Sequence, residues 1–196
     1  IVLGPYAGFL STLLGVLIGH CIYFRDPYEF VFTFGAPTGA MMSGFLFRGE
    51  WKPVLTYYTA LLAGYCVAPV AWQLPVWGMW NVYCACLTLL ATAIIIVKKR
   101  WKKRLRTVVY VLALCSFIGL EADVLFRIFV FVPCQTFRLF YGWNTESLFS
   151  IWVAGACITP VKVAIGTLFA GIIGPPLIRV LGKIGLSSYD FELGVE

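Results

Sequence analysis

Six stretches of about 20 mostly apolar residues, parted by short polar breaks, run through this sequence. That is the length an α-helix needs to cross the hydrocarbon core of a bilayer. They cover approximately 4–24, 28–47, 53–72, 76–97, 107–133 and 147–181. In lipid every backbone N–H and C=O must be satisfied within its own segment or a closed barrel, so runs of this length read as helices. Composition agrees: 61% of the residues are hydrophobic and 12% charged, and a soluble domain carries roughly twice that charged fraction. The expected fold is an all-α integral membrane protein, a six-transmembrane-helix bundle forming one domain over 1–196, multi-pass in the cell membrane. No repeat or low-complexity linker divides it. The chain begins with Ile, so further sequence is expected before it.

The breaks have physical causes. In 25–27 (RDP) and 48–53 (RGEWKP), charge is combined with a proline that disfavours helix at the residue before it. The short connection 73–75 (QLP) reads as a tight hairpin, and 141–147 (YGWNTES) offers Asn144 or Thr145 as a helix cap. The last span is longer than a bilayer requires, so Pro160 is expected to kink it and 174–176 (GPP) to break or bend it near its end.

The net charge of +6 does not point to nucleic acid, because the basic residues concentrate in 98–106 (KKRWKKRLR) beside a span. With six spans, eleven Lys and Arg fall on the side of both termini: Arg48, Lys52, seven in 98–106, Arg179 and Lys183. Only Arg25 and Arg138 fall opposite. Lys and Arg are retained on the cytoplasmic face, so both termini are expected inside.

Ionisable residues inside spans are the strongest functional signal, since each costs roughly 3 kcal/mol or more at the bilayer centre and must face a partner or a guest. Glu121, Asp123 and Arg127 lie in the fifth span and Lys162 in the sixth. Asp123 and Arg127, four residues apart, share a helix face and can pair. Glu121 falls on another face, roughly 18 Å from the outer end of its span, and Lys162 roughly 21 Å from the start of its own, so depth permits a Glu121–Lys162 pair. The four groups read as a self-neutralising clamp or as a polar cavity for a solute, and buried charges more often mark solute or ion paths. A proton relay is the weaker reading. His20 is the single histidine, so no acid/His chain is available and a His-rich metal site is excluded.

Trp72, Trp77, Trp80, Tyr83, Tyr141, Trp143 and Trp152 fall near outer span ends, as an interfacial aromatic belt does. Some of these, with Asn81 and Asn144 among them, are also suited to wall a solute site with a few directional hydrogen bonds. Small residues recur every four positions at Ala7, Ser11, Gly15 and Gly19, and again at Gly35, Gly39 and Ser43 beside Ala36, Ala40 and Gly44. Such stripes let helices approach closely, within the bundle or against another subunit. The seven cysteines include no CxxC pair and read as packing residues, with Cys134 the one placed for reactivity. Phosphate-loop, GxSxG and HExxH signatures are absent, so no enzyme activity and no cofactor or metal is expected, and energy must come from a partner or a gradient.

The size, the six spans and the inside termini resemble the substrate-binding S-components of energy-coupling factor (ECF) transporters. So do 35–49 (GAPTGAMMSGFLFRG) and 159–183 (TPVKVAIGTLFAGIIGPPLIRVLGK). The resemblance implies a vitamin-like micronutrient captured from outside and delivered with a transmembrane coupling protein and its ATPases. It implies docking through small residues of the first helix, here Ala7, Ser11, Gly15 and Gly19, although the family's Ala-x-x-x-Ala pair is not reproduced. It also implies a site in the outward half, with Trp77, Trp80, Asn81, Trp143 and Asn144 above Glu121, Asp123, Arg127 and Lys162. The alternatives are an accessory or structural subunit of a larger membrane complex, and a channel or carrier working alone. The latter is weakened by the lack of an internal repeat.

Overall fold

The structure, a computed structural model, describes residues 1–24, 29–97 and 105–183. The break at 25–27 and most of the basic stretch 98–106 therefore lie outside the described residues. Those described hold eight α-helices and no strand: α1 (Pro5–Ile22), α2 (Glu29–Phe32), α3 (Gly35–Arg48), α4 (Trp51–Val67), α5 (Trp80–Val97), α6 (Leu105–Phe131), α7 (Thr136–Leu139) and α8 (Thr145–Lys183). Five stretches are long and apolar enough to cross a membrane: Pro5–Ile22, Glu29–Arg48, Val76–Val97, Val108–Phe131 and Thr145–Gly182. This is the make-up of a multi-pass membrane protein. α4, with 17 residues, falls just short of that length.

Several expected boundaries move, each for a local reason. α4 stops at Val67 rather than 72, because Ala68 precedes Pro69 and is held extended (φ −75°, ψ 119°). Two 3₁₀ turns, Ala71–Gln73 and Val76–Met79, then lead into α5. The second span divides into α2 and α3. Of the break or bend expected at 174–176, no break occurs: α8 runs 39 residues, through Pro160, Pro175 and Pro176, to Lys183. Proline's fixed φ is itself helical, so the helix persists where the freed carbonyls find other partners.

α6 is the hub. It packs against α3, α4, α5 and α8, and its Leu112, Cys115, Ile118, Ala122 and Leu125 are all buried. The α3–α6 crossing is close because both helices present small residues there. A methyl group added at Gly39 would run into the Gly119 carbonyl and one at Gly119 into Ser43, so the stripe on the second span is spent on packing inside the chain. Gly44 likewise admits Pro5 at the start of α1, which packs on α3. The other stripe is different. Ala7, Ser11, Gly15 and Gly19 are exposed on α1, and a methyl group at Gly15 or Gly19 would meet nothing.

Candidate functional site: a cleft between α6 and α8

α6 presents Leu120, Val124, Arg127 and Phe131 to α8, spaced four, three and four apart, as one helix face requires. Between the two helices lies a cleft of about 440 Å³. Its apolar wall includes Phe131, Leu148, Trp152 and Val163, and its polar groups are Asn81, Asp123, Arg127, Thr159 and Lys162.

Asp123 and Arg127 pair as expected, with Arg127 Nε donating to Asp123 Oδ1 at 2.8 Å. Asp123 also lies against the first turn of α3. Only a glycine at position 35 leaves room for its carboxyl there, and the positive end of that helix favours a carboxylate. Lys162 has no ion pair among the described residues and is exposed along the cleft. The cleft thus holds two cationic side chains against one acidic one.

The Glu121–Lys162 pair that depth permits does not form among the described residues. Glu121 and Asp123 sit two positions apart, roughly 200° around α6, and flank the α8-facing stripe from opposite sides. Glu121 turns instead towards α5, where Asn81 Nδ2 donates to its Oε2 at 2.8 Å. Both residues are buried, Glu121 completely. Glu121 lines a separate cavity between α5, α6 and α8, with Trp80 and Asn81, and Asn81 lies in the wall between that cavity and the cleft.

The remaining aromatic and amide candidates divide. Trp80 lines the second cavity, and its indole Nε1 donates to the Ala156 carbonyl at 3.0 Å. That carbonyl lies four residues before Pro160, whose missing N–H leaves it without its helical donor. Trp143 reaches the cleft only through Phe131, at 5.8 Å between ring centroids, and stacks on Tyr141 at 4.8 Å. Asn144 is a helix cap: its Oδ1 accepts from the Ser147 N–H at 2.9 Å, so that oxygen belongs to the start of α8. Trp77 is exposed and borders neither cavity.

Trp152, which is not among the site residues that the resemblance implies, proves to be a wall of the cleft. Its Nε1 donates to the Pro75 carbonyl at 3.0 Å across the space left by Gly78, and its ring stacks on Tyr65 at 6.1 Å. The two indoles thereby stitch Pro75, before α5, and Trp80, at the start of α5, to the first half of α8. Nothing local distinguishes Trp152 from the other belt tryptophans, because its partners lie more than 70 residues away in sequence. No family model, curated protein or solved structure matches the chain.

Proposed function

We propose that this chain is the membrane-embedded solute-binding subunit of a micronutrient uptake transporter, a non-enzymatic protein that captures a small vitamin-like compound from the outer side. The observation that carries the reading is the cleft of about 440 Å³ between α6 and α8, apolar for most of its wall, with Arg127 and Lys162 set against Asp123. That volume and that mixture of lining groups are those of a small-molecule site. The excess of cationic groups favours an anionic or zwitterionic solute, and Trp152 and Phe131 favour a flat ring. In this reading α4 serves as a sixth span, with both termini cytoplasmic as the basic residues direct. The exposed stripe Ala7, Ser11, Gly15 and Gly19 docks a coupling subunit that brings the ATPases, as the likeness to S-components implies.

The experiment is a melting screen of the purified chain against vitamins and their precursors. A stabilising compound whose effect is lost in R127Q/K162Q supports the reading. A screen in which nothing stabilises the protein favours the accessory-subunit reading instead.

A further inference from the structure

The cavity beside Glu121 has properties the outer cleft does not share. It measures about 440 Å³ and is lined by Trp80, Asn81, Phe117, Glu121, Thr167 and Leu168, among others. Glu121 is fully buried, and one of its oxygens is taken by Asn81. The other, Oε1, has no hydrogen-bond partner, and neither has the buried Oγ1 of Thr167. Only three buried side-chain polar atoms among the described residues lack a partner, and two of them fall in this one cavity. Leaving a buried polar atom unpaired is costly, and a carboxyl group more so. No Lys, Arg or His lines the cavity to offset Glu121.

A guest that completes this site must bring hydrogen-bond donors and positive charge to one end and an apolar surface elsewhere. A bare metal ion does not fit. Divalent ions of the calcium and magnesium type gather about six or more oxygens, and the side chains of this cavity offer oxygens only from Glu121, Asn81 and Thr167. An organic ammonium group fits better, because its hydrogens match Glu121 Oε1 and Thr167 Oγ1, and aromatic faces attract the cation. We propose that this cavity binds a small amphiphilic amine, with its ammonium on Glu121 and Thr167 and its apolar body against Trp80, Phe117 and Leu168. α5 and α8 touch only sparsely, and the guest enters between them. This site stands independently of any solute in the outer cleft.

The test uses the purified full chain in lipid nanodiscs and three compounds sharing one ring: 2-phenylethylamine, 2-phenylethanol and phenylacetate. Saturable binding is read by calorimetry. The amine binds at least about tenfold more tightly than the alcohol, the scale of one charge-assisted hydrogen bond, and phenylacetate does not bind. E121Q, which keeps an acceptor for Asn81, lowers the amine to the level of the alcohol. A164F, which fills the cavity from α8 and leaves the Asn81–Glu121 bond alone, abolishes saturable binding of amine and alcohol alike, and serves by itself if E121Q does not fold. Equal affinities for amine and alcohol, amine binding that survives A164F, or amine preference that persists in E121Q each overturn the proposal.

Discussion

Asn81 and Glu121, 40 residues apart, join α5 to α6 through a single 2.8 Å hydrogen bond between two buried side chains. Each is the other's only hydrogen-bonded side-chain partner among the described residues, so the bond is costly to break from one side. Asn81→Leu strips Glu121 of its donor and is expected to destabilise the protein by about 1–3 kcal/mol. Replacing both residues with leucine removes the need for pairing. The double variant is expected to be less destabilised than the sum of the two single ones, because paired polar groups replaced together leave nothing unsatisfied. Reversible unfolding in mixed micelles measures this, and strict additivity would refute it.

Trp80 stands in for the N–H that Pro160 lacks. Trp80→Phe keeps most of the ring but leaves the Ala156 carbonyl unpaired, at an expected cost of about 1–3 kcal/mol. Pro160→Ala restores a backbone donor to that carbonyl. In the P160A background the W80F penalty is therefore expected to shrink to the loss of indole packing. A double-mutant cycle that returns no coupling would remove this role from Trp80.

The two small-residue stripes predict opposite outcomes for the same kind of change. Gly119→Ala pushes a methyl group into Ser43 and towards the Gly39 carbonyl, and overpacking of this sort costs about 1–3 kcal/mol. Gly15→Ala adds a methyl group where nothing lies within 4 Å. On the isolated chain it is expected to be neutral or slightly stabilising, through the higher helix propensity of alanine. Melting temperatures of the two variants in detergent make the comparison. If G15A also prevents capture of a coupling subunit, the exposed stripe is a docking face.

Arg127 is half exposed, so its i,i+4 pair with Asp123 adds only a few tenths of a kcal/mol to stability. Arg127→Gln and Lys162→Gln are expected to leave the melting temperature nearly unchanged. Each is expected to weaken an anionic solute bound in the cleft between α6 and α8 by about tenfold, the share of one charged contact. Titration of the hit compound from the melting screen reads this directly. Unaltered affinity in both variants would move the solute elsewhere.

Much of the architecture was legible along the chain, because it rests on local properties. Apolar length marks a membrane helix wherever it occurs, and the helical stretches fall where the apolar runs lie. Asn144 was readable as a cap because Ser147 N–H is three residues away. The Asp123–Arg127 pair was readable because four residues make one helical turn and a little more. The end of α4 at Val67 was also written locally, in Pro69, but apolar residues running on to Trp72 masked it.

What the sequence by itself determined is the class: apolar helices of membrane-crossing length, with ionisable groups that cannot face lipid alone. Only tertiary structure decided where those groups look. Helix rotation about its own axis is fixed by packing, here by Gly39 against Gly119, and a turn of about 100° per residue separates one neighbour from the next. That rotation turns the Asp123–Arg127 pair into the cleft and sends Glu121 to Asn81 rather than Lys162, and the way α8 packs makes Trp152 a wall of the cleft. None of these choices leaves a trace in spacing along the chain, because each is settled by a helix that arrives from tens of residues away.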